Sequence, residues 1–342
     1  MNRASSQEKD VALQCAFEAG RLIAKIRQET LSAEAITKAD RSPVTLADYG
    51  AQAVVCRILK DAFPEDVIVA EEKSELLRDP GNAELLAKLA GFVRQIFADA
   101  TEAALCQWVD YGAKATASRY WCLDPIDGTK GFLRGDQYAL ALALVENGVV
   151  QLGVLACPNL PAALNDPERA RGVVFMAARG EGAYQMGAGS SDATPIHVTA
   201  RERTAGIRFC ESVESDHSDH RAHIAVSERL GIRQPPIRMD SQAKYGIVAR
   251  GDASIYLRLP HPGSPEYREK VWDHAAGAIL VEEAGGRVTD IHGKPLDFGK
   301  GFLLTDNTGV IATNGRLHDE VLAALQEERE GFRDRSKWGI RH

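Results

Sequence analysis

Apolar positions in the first part of the chain fall on one stripe at helical spacing. From about residue 8 to 28, Cys15, Ala19, Leu22 and Ile26 lie on that stripe and predict an amphipathic helix. A polar stretch over 37–41 leads to Ser42-Pro43. Beyond it Val54, Val55, Ile58 and Leu59 mark the inner side of a second helix with Asp48 in its first turn. The β-branched run 67–70 reads as a strand that ends on Glu71 and Glu72. Residues 73–118 lose this clarity, and only 82–98 shows helical periodicity. Residues 120–123 form an apolar, aromatic strand, expected to stop at Asp124-Pro125 because proline cannot donate to a ladder. Runs 138–145 and 149–157 predict two strands joined at Glu146-Asn147-Gly148, where Asn-Gly signals a tight hairpin. A second hairpin is expected to turn at 179–182. The result is a largely antiparallel sheet flanked by N-terminal helices.

The pattern restarts near residue 195. A strand near 207–209, a polar loop at 216–220 and a helix over 222–230 come first. The strand 254–259, a small-residue helix over 272–286, strands near 288–289 and 309–312, and a last helix through Leu325 follow. The charged tail after Glu327 is expected to fray. We therefore expect two domains, an α+β domain over 1–194 and a smaller α/β domain over 195–342.

With 342 residues and 44% hydrophobic content, the chain can bury a large core. Lys and Arg number 41 against 48 acids, and the net charge of −7 leaves no basic stripe for a nucleic-acid polymer and no polybasic membrane signal. An anionic partner must then be a small molecule captured locally. No apolar run is long enough to span a bilayer and the start lacks a signal-peptide core, so a cytoplasmic protein is expected, as a monomer. Six cysteines without paired spacing read as reduced and mostly buried, with Cys106 the one expected nearest the surface.

Candidate chemistry concentrates at element ends. Asp124 and Asp127 leave a strand end together, where paired oxygens suit a hard cation such as Mg²⁺. Gly128 and Thr129 follow, so backbone N–H groups and a hydroxyl can meet an anion at a helix start. The plain alternative is a capped turn. Two further stretches weigh against it: Asp273 opens the small-residue helix, and Glu71-Glu72 closes a strand.

The turn Asp124-Pro125-Ile126-Asp127-Gly128-Thr129 and the helix Trp272-Asp273-His274-Ala275-Ala276-Gly277 resemble the two signatures of the inositol monophosphatase superfamily of Mg²⁺-dependent, lithium-sensitive phosphatases. Residues 42–50, 130–138 and 240–246 make the likeness strongest to its 3′(2′),5′-bisphosphate nucleotidases of the yeast and plant type. The resemblance runs from about residue 10 to 320 and implies a layered αβαβα sugar-phosphatase-like fold, with a cap-like insertion over 73–118. It implies hydrolysis of the 3′-phosphate of adenosine 3′,5′-bisphosphate to AMP, with action on 3′-phosphoadenylyl sulfate and a place in sulfur assimilation. Two or three Mg²⁺ ions are implied, one held by Glu71, Asp124 and the Ile126 carbonyl, another by Asp124, Asp127 and Asp273. Asp48 and Thr129 would take a proton from the attacking water, and Gly128 and Thr129 would hold the reacting phosphate. His217 would contact the nucleotide, while Ser241, Lys244 and Arg258 would hold the sugar and second phosphate. A zinc reading of His217 and His220 lacks a third ligand at usual spacing. The rivals are an inositol (poly)phosphate or fructose 1,6-bisphosphate phosphatase of the same superfamily, and a non-catalytic phosphonucleotide sensor.

Overall fold

A computed structural model describes residues 3–29, 36–37, 43–44, 46–113, 117–166, 170–190, 192–201, 206–213, 220–260 and 266–337. Helix α1 (Ser6–Glu29) is followed by the short pair β1 (Ile36–Thr37) and β2 (Pro43–Val44), then helix α2 (Leu46–Ala62) and strand β3 (Val67–Ala70). Helices α3 (Ala83–Val93) and α4 (Glu102–Asp110) lead to β4 (Gly112–Ala113), β5 (Arg119–Asp127) and the short helix α5 (Thr129–Arg134). A meander then runs through β6 (Ala139–Glu146), β7 (Val149–Pro161), β8 (Arg171–Ala178), β9 (Gly182–Gly187) and β10 (Thr194–Ile196). Strands β3 to β10 form an eight-stranded sheet in the order β10-β9-β8-β7-β6-β5-β3-β4, with β3 parallel to both of its neighbours. The β6–β7 turn has positive φ at Asn147 (50°) and Gly148 (76°), as a two-residue hairpin that matches strand twist requires.

The rest of the chain builds β11 (Phe209–Glu211), α6 (His220–Arg229), β12 (Ile237–Arg238), α7 (Ala243–Ala249), β13 (Ile255–Arg258), α8 (Ala275–Glu283), β14 (Arg287–Thr289), β15 (Val310–Thr313) and α9 (His318–Lys337). Its five-stranded sheet has the order β12-β11-β13-β15-β14, parallel around β11 and antiparallel around β15.

Three apolar clusters separate five layers. The first lies between α1 and α2 and one face of the large sheet. A second holds α7 and α8 between the two sheets, and a third lies between the small sheet and α6 and α9. This is the αβαβα arrangement that the resemblance implies. Alternation along β6 shows how sequence sets it. Leu140, Leu142 and Leu144 join the first cluster, whereas Ala139, Ala141 and Ala143 join the second. Small residues face inward because α8 packs close: a Cβ on Gly153 would lie 2.5 Å from Ile279 Cγ2, and one on Gly277 would lie 2.2 Å from Tyr245 Cδ2. Helix α8 is buried on every side from Ala275 to Val281, as a helix clamped between two sheets must be.

Four sequence expectations need correction. Strand β5 does not stop at Asp124-Pro125 but runs on to Asp127. Pairing with β3 ends at Leu123, so the proline interrupts no ladder on that side. Helix α9 continues past Glu327 to Lys337. The periodicity of 82–98 yields a helix only to Val93, and α4 follows with the Thr101 hydroxyl capping the Ala104 N–H. Cys106 is buried at 3% exposure, on the inner face of α4. Among the described residues no helix is long and apolar enough to cross a membrane.

Candidate active site

One irregularity in β5 sets the site. Asp124 pairs with Ala141 and Asp127 with Ala139, so three steps on β5 oppose two on β6. In a regular strand, residues three apart point to opposite faces. The extra residue of the bulge restores both carboxylates to one face, the side of α7 and α8. Gly128 then turns the chain into α5 with φ 85°, and a Cβ there would sit 3.0 Å from Ser241 Cβ. Glycine is required at this position for both reasons.

The segment 240–242 clasps this turn. The Gln242 N–H donates to Asp127 Oδ2 at 2.6 Å, and Arg134 Nη2 donates to Asp240 Oδ2 at 2.5 Å. Ser241 adopts φ 69°, a left-handed conformation that a non-glycine residue holds only where its surroundings fix it. The Gln242 side chain donates to the Trp272 carbonyl at 2.8 Å and accepts from the Gly277 N–H at 3.1 Å. On the opposite wall, Gln52 of α2 accepts from the Glu72 N–H at 2.9 Å and donates to the Glu72 carbonyl at 2.9 Å and the Val109 carbonyl at 2.8 Å. It ties the helix of Asp48 to the strand end of Glu71.

A cavity of about 360 Å³ opens over these elements, with an acidic wall of Glu71, Asp124, Asp127 and Asp273 and the turn residues Ile126, Gly128 and Thr129 beside it. Ser241, Gln242, Lys244, Arg258 and Lys270 line the rest. Asp48 is buried and does not line the cavity, but its charge acts on Asp124. His217 lies outside the described residues.

The carboxylates destabilise one another. Burial, then the charges of Glu71, Asp127, Asp273 and Asp48, push the Asp124 carboxyl well above the usual range. Burial raises Asp127 also, against the pull of Lys244 and the Gln242 N–H. Asp273 is held well up by burial, Glu71 and Asp127, with Lys270 opposing. Asp124 Oδ1 is buried without a hydrogen-bond partner, which ordinary folding would not tolerate. An orphaned carboxylate oxygen among acids that lack enough cations fits a hard divalent ion with oxygen ligands. The Ile126 carbonyl faces the same turn and accepts from Thr129 Oγ1 at 3.2 Å.

A second cluster brings ligand atoms of Glu269, Asp273 and His274 within 4.8 Å of one another. Two of these groups are already engaged. Glu269 accepts from Arg258 Nε at 3.1 Å and pairs with His274 Nε2 at 3.1 Å, while Tyr245 meets His274 Nδ1 at 2.8 Å. Burial would raise the Glu269 carboxyl, but His274 and Arg258 outweigh it and hold it at about 2. This is an ion-pair network that fixes Arg258, and the harder oxygen set around Asp124 suits a cation better. Lys244 is buried, with Nζ 3.3 Å from the Met239 carbonyl and 5.3 Å from the Tyr256 ring centre. Burial lowers its pKa, against the attraction of Asp127. Lys270 pairs with Glu71 at 3.3 Å.

Sequence reasoning missed Gln242, Gln52, Glu269 and Lys270. Glu269 and Lys270 stand just before the Trp272-Asp273 signature, and their charge was the available signal. The two glutamines had none, since a neutral amide shows its role only through partners distant in the chain.

The sequence profile of the inositol monophosphatase family matches residues 5–330. A 3′(2′),5′-bisphosphate nucleotidase of Schizosaccharomyces pombe is 42% identical over 336 residues, covering 93% of this chain and 94% of that protein. One of Oryza sativa is 45% identical over 327 residues, covering 90% of each. In fold, the chain is similar to an IMPase of Thermotoga maritima, with a TM-score of 0.65, 24% identity and coverage of 94% and 98%. An inositol monophosphatase from Anabaena is similar at a TM-score of 0.59, 24% identity and coverage of 93% and 94%. With the profile spanning nearly its whole length, the chain belongs to the inositol monophosphatase family.

Proposed function

We propose that the chain is a Mg²⁺-dependent phosphatase that removes the 3′-phosphate of adenosine 3′,5′-bisphosphate, giving AMP and phosphate, and that also accepts 3′-phosphoadenylyl sulfate. The observation that carries this reading is one cavity whose lining joins an acidic wall at Glu71, Asp124, Asp127 and Asp273 to Ser241, Lys244 and Arg258. A substrate with one phosphate to cleave and a second to hold fits both walls. The likeness to proteins named 3′(2′),5′-bisphosphate nucleotidase supports the same substrate class.

In this reading Glu71, Asp124 and the Ile126 carbonyl would hold one Mg²⁺, and Asp124, Asp127 and Asp273 a second. When bound, Mg²⁺ supplies electrophilic stabilisation of phosphoryl charge and acidifies water. The Thr129 hydroxyl, which lines the cavity, orients the attacking water, and Asp48 behind the lining takes the proton by way of that hydroxyl. The N–H groups of Gly128 and Thr129 hold the reacting phosphate, so most of the catalysis is positioning and electrostatics. Ser241, Lys244 and Arg258 hold the sugar and the second phosphate, and Glu269 keeps the Arg258 guanidinium turned toward it.

Phosphate release over a panel tests the reading. We expect adenosine 3′,5′-bisphosphate to be cleaved with Mg²⁺ and not with chelator, and faster than inositol 1,4-bisphosphate or fructose 1,6-bisphosphate. Faster release from the inositol compound would move the assignment to an inositol phosphatase. Binding without release from any substrate would leave a sensor.

A further inference from the structure

Asp127 and Asp273 reach the cavity from different segments, one from the end of β5 and the other from the turn before α8. Both line one cavity with Glu71 and Asp124, where like charges repel, so their segments are driven apart. A lysine or arginine bridge would hold them together but would also neutralise the charge that a cation needs. Gln242 makes the same connection with a neutral amide. Its backbone N–H holds Asp127 Oδ2 at 2.6 Å, and its side chain holds the carbonyl of Trp272, the residue before Asp273, at 2.8 Å. Its amide oxygen accepts the Gly277 N–H at 3.1 Å. That N–H belongs to the first turn of α8, where no capping residue supplies a side-chain acceptor. Gln242 is 2% exposed and lines the cavity beside Ser241 and Lys244, with its side-chain amide taken up by the Trp272 and Gly277 partners.

We propose that Gln242 is a positioning residue that sets the distance between Asp127 and Asp273, and with it the affinity of the site for a divalent cation. The inference rests on the reading of those two carboxylates as metal ligands. Residues that orient ligands from behind typically change metal affinity about 10- to 100-fold when replaced. Gln242→Met keeps the length and volume of the side chain and the backbone bond to Asp127, and removes both amide bonds.

The test is calorimetric titration of Mg²⁺ into the substrate-free full chain, with thermal unfolding of each protein in chelator. Gln242→Met should weaken Mg²⁺ binding about 10- to 100-fold. Thr289→Val is the control, since it removes a buried hydroxyl that contacts His318 and the Asp290 carbonyl in another layer, and it should leave Mg²⁺ affinity unchanged. A Gln242→Met protein that melts lower yet binds Mg²⁺ like the wild type would overturn the inference and leave a structural glutamine. If that variant does not fold, Gln242→Asn replaces it, with an amide too short to span both partners and the same expected loss. Asp273→Asn should lose Mg²⁺ binding in the same titration. Wild-type protein that takes up no Mg²⁺, or an Asp273→Asn protein that binds it normally, would defeat the ligand reading itself.

Discussion

Lys244→Met separates the two walls of the cavity. The ammonium is 5% exposed, meets the Met239 carbonyl at 3.3 Å and lies 5.3 Å from the Tyr256 ring, while also lining the cavity. An ammonium has three donors, and one carbonyl and a ring face leave capacity for a phosphate oxygen. Losing a charge-assisted hydrogen bond costs about 1.5–3 kcal/mol, which is roughly 10- to 150-fold in KM. Methionine fills nearly the same volume and needs no hydration, so folding stability should hold or rise slightly despite the buried position. We expect KM for adenosine 3′,5′-bisphosphate to rise by that factor at saturating Mg²⁺, measured by phosphate release. For 3′-AMP, which lacks the second phosphate, KM should stay within about twofold, because no contact is removed. Some loss of kcat on the bisphosphate is consistent, since energy from a remote group also orients the reacting one. Equal losses on both substrates would refute the assignment of Lys244 to the non-reacting phosphate, as would a steep fall in melting temperature.

Asp273→Asn should abolish turnover and raise the melting temperature in chelator, because it removes one charge from a mutually repelling cluster; a lower melting temperature would count against that repulsion. Lithium should inhibit at saturating Mg²⁺ where sodium at equal ionic strength does not, and matched inhibition by both salts would reduce the effect to screening. His318 is fully buried between Thr289 and Thr313, and burial holds its pKa down at about 4. A depressed histidine adds stability that is complete above about pH 6.5 and is lost as pH falls toward 4, ~3 kcal/mol in all. Urea unfolding should therefore show a shallower acid limb for His318→Gln than for wild type, and parallel limbs would exclude this histidine as the cause.

Where the chemistry depends on residues close in sequence, the chain announces it. Asp124, Asp127, Gly128 and Thr129 fall within six positions and meet at the cavity. The strand run at 138–145 and the Asn147-Gly148 turn are equally local, and both appear as read. What the pattern could not give was the bulge. Proline at 125 read as a stop because it cannot donate to a ladder, and only the end of β3 pairing at Leu123 makes room for it. Helix α4 was missed because its inner residues, Leu105, Cys106, Trp108 and Val109, form one short cluster with no second turn to repeat it. Gln242 acts through partners 30 or more residues away, and Glu269 holds Arg258 from 11 residues away, so no single stretch carries that information.

The all-round burial of α8 bears on the order of synthesis. Ala139, Ala141 and Ala143 of β6 face the cluster that contains Ala276, Ile279 and Leu280 of α8. A growing chain thus completes the large sheet well before the helix that covers its second face exists. Until residues 275–283 leave the ribosome, that face is an apolar surface in water, the kind that recruits chaperones or self-associates. A fragment ending near residue 200 should bind a hydrophobic dye and aggregate, and adding a separate C-terminal fragment during refolding should suppress both. The small residues that let α8 nest so closely therefore make the last third of the chain the step that renders the first two thirds soluble.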